Sequence, residues 1–377
     1  MPNNVISGSA VMEGSTYLTA KRHPIAIQMP EFPMINQTNK KWVLAFWEAL
    51  DKASSSQASS VCSEYFAPDC VWNGPAPIYQ QVGPQAMAEN FWAPLKASIP
   101  DLRRQTHMIF GGASSGRADG GADGRMWVCG TGYLIGQAKG TFLDIPVTEK
   151  TLRLRWGEFY RIEGGTIVEA QVLIDFVDWF EQVGLSVLPA PLGIAHVYPA
   201  PTGYDGLLID AQDPDETQKT LSMGRDFIYG ALNSFDSSDL SSMGMEDFFH
   251  QNVKWYGPGG IGACLSLEEF QERHQKPWLV AFPNRKVQDL DSLFAEGALL
   301  AGSGVAGVKA LHTGPFRDTP ASGQPIEFSG LDFWLRSGDK FTENWVFVDM
   351  VDMFSQMGHD LFKVMREQSV AHQEGKR

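Results

Sequence analysis

Apolar residues along this chain switch from helical to strand spacing, and the switch happens twice. Over Asn39–Leu50 and Thr217–Leu232 they recur at helical intervals, with Trp42, Phe46 and Leu50 on one stripe of the first. A second helical stretch follows in each half, Pro84–Ala97 or Ser266–Ala281, and alternating segments come after it. In Thr151–Glu163 a two-residue period sets Leu152, Leu154, Trp156, Tyr160 and Ile162 on one strand face. Helices first and a strongly bent antiparallel sheet afterwards predict an α+β fold.

The two halves also match residue by residue. Phe66, Trp72, Gly74, Pro75 and Ile78 meet Phe249, Trp255, Gly257, Pro258 and Ile261 at a constant offset of 183. The same offset carries Pro94 to Pro277 and Pro100 to Pro283. Later it becomes 174: Gly140, Phe142, Asp144 and Pro146 meet Gly314, Phe316, Asp318 and Pro320. That register continues from Phe159 and Phe333 to Gly184 and Gly358. The nine-residue difference falls on GGASSGRADGGADG (111–124), a Gly/Ser/Asp-rich stretch that reads as a lengthened hairpin connection. Two homologous domains are therefore expected, at 39–188 and 217–369. Residues 1–38 read as an N-terminal arm and 370–377 as a C-terminal tail. The segment 189–216, with five prolines and two tyrosines, reads as an ordered, packed linker.

Composition narrows the function classes. At roughly 150 residues per domain, 377 residues allow two or three cores. With 43% hydrophobic residues, 23 Phe and 11 Trp, disorder is excluded for most of the chain. The net charge of −14 makes a poor partner for nucleic acid or anionic lipid. Neither a membrane-spanning run nor a basic segment leading into an apolar signal core is found, so neither is expected to operate. The four cysteines, Cys62, Cys70, Cys129 and Cys264, form no C-x-x-C pair. A disulfide framework or zinc site is not expected, and a reducing cytoplasm is the expected compartment.

One polar residue intrudes on the apolar strand face: Glu158, whose counterpart Asp332 lies among Ile326, Phe328 and Trp334. A carboxylate among aromatic rings loses hydration, so its pKa rises toward the range useful for moving protons. The alternative is a polar partner, or a bulge that turns the acid to solvent. His312 ends a Gly- and Ala-rich strand, Gly302–Leu311, where it could relay protons or be satisfied by backbone; Ala138 is its counterpart. Trp72-Asn73 and Trp255-Tyr256 precede Gly-Pro turns, and His274 lies in a helical run. Glu169 and Glu343 start the final strands, Glu343 on one face with Trp345, Phe347 and Asp349. Core packing is the expectation for the tryptophans and a rim ion pair for Glu343, while Asp178 and Asp352 read as helix caps. No dinucleotide fingerprint, Walker loop, nucleophile elbow or H-E-x-x-H is present, so no cofactor or metal is indicated.

Taken together, these residues resemble a tandem pair of SnoaL-like polyketide cyclase domains, of the nuclear transport factor 2-like superfamily. The resemblance rests on HQKPWLVAFPNR, HTGPF and P-x-x-G-x-x-I-E-F-x-G-L-D-F in repeat 2. In repeat 1 it rests on FWAPLKASIPDLR and GTFLDIPVTEKTLRLRWGEFYRIEGGTIVEA. It implies two cone-shaped α+β barrels, each a bent antiparallel sheet around three helices and a deep apolar pocket. It also implies acid–base chemistry without metal or cofactor, as in an aldol-type ring closure. The family aspartate falls on Asp332 and the histidine on His312; repeat 1 departs at both, with Glu158 and Ala138. A tandem chain of such domains could make the family's sheet-to-sheet contact internally, as a pseudo-dimer, with a further homodimer possible in principle.

The resulting expectation is a small-molecule enzyme whose main site is in domain 2. It would act on an apolar, oxygenated molecule by cyclisation, isomerisation or elimination. Asp332 and His312 are the expected catalysts, with Trp255, Tyr256, His274, Trp334, Glu343 and Trp345 around the substrate. Trp72, Asn73, Glu158 and Glu169 are the domain 1 equivalents. A non-catalytic binding or scaffolding protein is the alternative, as is an epoxide-hydrolase-like enzyme, which needs an arginine beside Asp332.

Overall fold

The structure, a computed structural model, describes residues 32–374 except 204, 237 and 238. Domain 1 opens with a helix, Phe32–Lys52, so the end of the expected arm is helical; residues 1–31 lie outside the described residues. Val43, Phe46, Trp47 and Leu50 recur at helical spacing on its buried side. The helix Ala58–Tyr65, strands β1 (Phe66–Asn73) and β2 (Gln80–Val82), and a helical segment over 84–98 follow. The long strands are β3 (Arg103–Ala113), β4 (Met126–Gln137), β5 (Thr151–Glu163) and β6 (Thr166–Ile174), and the helix Phe176–Gln182 closes the domain. Their order is β2-β1-β6-β5-β4-β3, antiparallel except for β1 against β6.

Domain 2 repeats this plan. Helical residues 214–230 and the short helix Met245–Phe248 lead to β7 (Phe249–Tyr256), β8 (Ala263–Cys264) and helical residues 267–281. Then come β9 (Lys286–Val287), β10 (Ser292–Glu296), β11 (Leu299–Leu311), β12 (Pro325–Ser337) and β13 (Lys340–Val348). The sheet runs β10-β11-β12-β13-β7-β8, with β9 on β11. Helices Met350–Gln356 and Leu361–Glu374 end the described chain, so the expected tail is helical through 374. Both halves are α+β domains in tandem. Among the described residues no helix is long and apolar enough to cross a membrane.

Each sheet buries both faces. The inner face packs on its own helices; the outer faces pack on each other through Phe110, Trp127, Phe159, Phe294, Phe333 and Trp345. The homologous rings Phe159 and Phe333 meet with centroids 5.3 Å apart, as expected near a pseudo-twofold axis. Gly157 permits this approach, because a Cβ there would lie 2.9 Å from the Leu331 side chain. The symmetry extends to hydrogen bonds. Asp175 accepts the Gly259 N–H at 2.7 Å, and Asp349 accepts the Ala76 N–H at 2.7 Å.

These two aspartates also cap the following helices, accepting from the amides of Asp178 and Asp352 at 3.0 and 3.1 Å. The caps are thus Asp175 and Asp349, not Asp178 and Asp352 as the sequence suggested. Within 189–216, Tyr198 is buried between the sheets and bonds Thr131 Oγ1 at 2.7 Å. A buried ion pair, Lys40 to Glu296 at 2.6 Å, also links the domains. The Gly-rich connection between β3 and β4 is strapped to domain 2. Ser115 N–H donates to the Leu293 carbonyl at 2.7 Å, and Leu290 N–H donates to Gly116 at 2.8 Å.

Candidate active site

The inner side of the domain 2 sheet encloses a cavity of about 200 Å³. Phe270, His274 and Trp278 on helical residues 267–281 form one wall; Phe328, Asp332 and Trp334 on β12, with Asn344 and Val346 on β13, form another. Trp255 stacks on the His274 ring at a centroid distance of 4.1 Å. Asp332 sits mid-sheet, paired with Gly302 on β11 and Val346 on β13, and strand alternation turns it inward with Trp334. No cation pairs with it among the described residues. Burial pushes its carboxyl up to about 7, and a hydrogen bond with Asn344 only partly opposes this. Burial pushes His274 down to about 3, with Arg285 contributing, so its imidazole is neutral at any ordinary pH.

Of the expected site residues, Asp332, His274, Trp255 and Trp334 are brought together around this cavity. Tyr256, Glu343 and Trp345 are not. Asn344 and Val346 point inward on β13, so Glu343 and Trp345 point to the outer face. There the Trp345 ring lies 5.3 Å from Tyr256, and its Nε1 donates to the Pro199 carbonyl at 2.8 Å. Glu343 is buried in the domain interface and makes no rim ion pair. It accepts the Thr202 N–H at 2.9 Å and the Tyr256 hydroxyl at 3.3 Å.

His312 is also outside the cavity. Its neighbour Leu311 pairs with Pro325, seven positions before Asp332 on β12, which is about 23 Å along the strand. There Nδ1 accepts the Ser322 N–H at 3.2 Å, and the ring packs against Phe282. Burial holds its pKa below the usual value.

Domain 1 shows what the same fold looks like when filled. Glu158 is fully buried and accepts from Arg104 Nη1 at 2.8 Å, from Trp47 Nε1 at 2.6 Å and from the Tyr160 hydroxyl. The Arg104 guanidinium lies between two rings, 4.3 Å from Trp156 and 4.8 Å from Trp47. Trp156 faces Gly330 in the 174 register, so a tryptophan occupies in domain 1 the room that domain 2 leaves open. Trp72 packs on Phe91 in the core. Asn73 accepts from Gln80 near the surface at 2.9 Å, and Glu169 pairs with Arg161 at 2.8 Å on the rim. Neither faces the domain 1 interior.

The expectations missed Asn344, Gln275 and Arg285, all of which line the cavity. A signal for them exists in the repeat registers, where they replace Ala170, Trp92 and Leu102. Asp178, Glu181 and His196 are grouped with the spacing of a metal site. Arg155 is shared between Asp175 at 3.4 Å and Asp178 at 3.2 Å, and Asp178 also bonds His196 at 2.9 Å.

A family-wide sequence comparison matches residues 44–183 and 228–357 to SnoaL-like polyketide cyclase. None of the curated proteins compared matches. Among solved structures, a protein from Jannaschia sp. CCS1 named as a SnoaL-like polyketide cyclase is 13% identical, with a TM-score of 0.33; the match covers 39% of this chain and 96% of that one. IdmH from Streptomyces antibioticus, named as a polyketide cyclase, is 22% identical over 35% of this chain and 96% of its own, with a TM-score of 0.29. AclR from Streptomyces galilaeus, named as a hydroxylase, is 19% identical over 38% and 87%, with a TM-score of 0.31.

Proposed function

That the chain belongs to the SnoaL-like polyketide cyclase family is the premise from which we propose that domain 2 carries a proton-transfer site. Asp332 takes a proton from a carbon next to a carbonyl and returns it to the product. The supporting observation is a carboxylate that faces an apolar cavity without a cation and is held near 7 by burial. A base tuned near the working pH combines the right protonation state with useful driving force. The enolate oxygen formed in this step needs donors that do not neutralise Asp332. Neutral His274 is such a donor and lines the same cavity, whereas the Asn344 amide is already committed to the Phe333 carbonyl at 3.0 Å and to Asp332.

Aromatic walls and a volume of about 200 Å³ suit a molecule of one or two rings, since a cavity of roughly 150 Å³ holds benzene. Cyclisation, isomerisation and elimination share the first proton abstraction, so that step is the one to test. Domain 1, with Glu158 locked to Arg104 and Trp156 in place of a cavity, serves as a structural partner.

The test is solvent-deuterium uptake next to the carbonyl of 2-tetralone in D₂O, followed by NMR. The intact protein accelerates exchange, with a rate that rises as pH passes about 7 and Asp332 ionises. Asp332→Asn lowers the rate by roughly 10²–10⁴. Exchange by Asp332→Asn at the rate of the unsubstituted protein defeats the assignment.

A further inference from the structure

We propose that the domain 2 cavity takes its ligand as an anion, a ring-bearing carboxylate whose charged group sits against Arg285 and Gln275, apart from Asp332. This rests on reading the cavity as the substrate site. Arg285 is only 8% exposed; its guanidinium lies over the Phe235 ring at 4.9 Å and bonds the Leu232 carbonyl at 3.2 Å and Met243 Sδ at 3.7 Å, none of which carries a negative charge. The other buried arginines are paired: Arg104 with Glu158 at 2.8 Å, Arg155 with Asp178 at 3.2 Å, and Arg336 with Glu216. No carboxylate pairs with Arg285 among the described residues. A buried cation without a counter-charge is a costly arrangement that an incoming anion relieves.

Gln275 completes the site. It is 3% exposed, its Nε2 donates to the same Met243 sulfur at 2.9 Å, and its Oε1 has no partner. A thioether is a weak acceptor, so both donors have capacity left for a stronger one. One guanidinium and one amide match the two oxygens of a single carboxylate. The fold does not demand these residues. In the 183 register, domain 1 places Leu102 at Arg285, Trp92 at Gln275 and Phe91 at His274. Where the domain is filled, all three positions are apolar; where it is open, all three are polar.

The anion end and the proton-transfer end are separate places along the cavity. Val287, two residues after Arg285, pairs with Val308, which pairs with Phe328, four positions before Asp332 on β12 and about 13 Å along the strand; Arg285 and Asp332 form no ion pair. A carboxylate at Arg285 therefore leaves Asp332 free to exchange its proton. The class of ligand is an aromatic or alicyclic acid rather than its neutral ester or amide.

Isothermal titration calorimetry with 2-naphthoate and the near-isosteric 2-naphthamide tests this. The intact protein binds the acid about tenfold or more tightly than the amide, the ratio expected for a hydrogen bond between charged partners. Arg285→Leu, which installs the residue of domain 1, removes the preference, so that acid and amide bind alike. Gln275→Leu reduces the preference, as does Arg285→Lys, which keeps the charge without the fork; these two carry the comparison if Arg285→Leu does not fold. Asp332→Asn keeps the preference. Equal affinity for the two probes in the intact protein, or a preference that survives Arg285→Leu, overturns the anion site alone. No binding of either probe overturns it together with the reading of the cavity.

Discussion

Removing the charge from homologous acids in the two domains should change stability in opposite directions. Asp332 has no cation, and its carboxyl is raised from 3.8 to about 7. Below pH 3.8 the folded and unfolded chains are both protonated and the residue is neutral in its effect. Between 3.8 and 7 the folded chain keeps a proton that the unfolded chain gives up, so stability falls as pH rises. Above 7 the loss is complete. A difference of about 3 pKa units corresponds to about 4 kcal/mol. Asp332 lines a cavity that water can enter, and screening there reduces this to about 2 kcal/mol. Asp332→Asn escapes this cost, so at pH 8 the domain 2 transition should rise by about 4–8 °C. At pH 4 the substitution should change little.

Glu158→Gln removes the partner of Arg104, whose side chain is 3% exposed. The amide can still accept from Trp47, and Asp51 remains 3.9 Å from Arg104, so the expected loss is about 3 kcal/mol, the lower end for a broken buried pair. Scanning calorimetry at pH 4 and pH 8 measures both effects. A fall in stability for Asp332→Asn at pH 8 refutes the reasoning, because it means that the ionised carboxylate has a favourable partner in the folded protein. No change for Glu158→Gln refutes the ion-pair account of domain 1.

Two further outcomes follow from the placement of side chains. Gly330→Trp, which copies Trp156 of domain 1, should abolish binding of 2-naphthamide by filling the cavity. A Cβ at Gly330 lies 3.0 Å from the Phe347 carbonyl, so the cost is about 1–3 kcal/mol, measurable by thermal unfolding. His312→Ala should leave the deuterium-exchange rate unchanged, because His312 lies at the far end of the sheet; a loss comparable to that of Asp332→Asn contradicts that placement.

Much of the architecture was legible in the linear pattern. Two offsets identified two copies of one domain, and the nine-residue difference located the long connection between β3 and β4. Alternation alone placed Asp332 and Glu158 among inward-facing apolar residues, because a strand's two-residue period fixes which side chains share a face. It does not say what that face meets. The outer face of β13 is as apolar as the inner one, since it is buried against the other domain. Glu343, Trp345 and Tyr256 therefore look like pocket residues in sequence and form an interface in space.

The candidate chemistry was decided by contacts between residues far apart in the chain. Glu158 and Asp332 occupy equivalent positions, yet one meets Arg104 and Trp47 while the other meets an opening. His312 carries a family motif, but its distance from Asp332 is set by strand register. Arg285 closes a family motif in the sequence, but its burial without a carboxylate is visible only in the structure. Periodicity records the direction of a side chain, whereas hydration, charge pairing and empty volume depend on what the rest of the fold brings beside it.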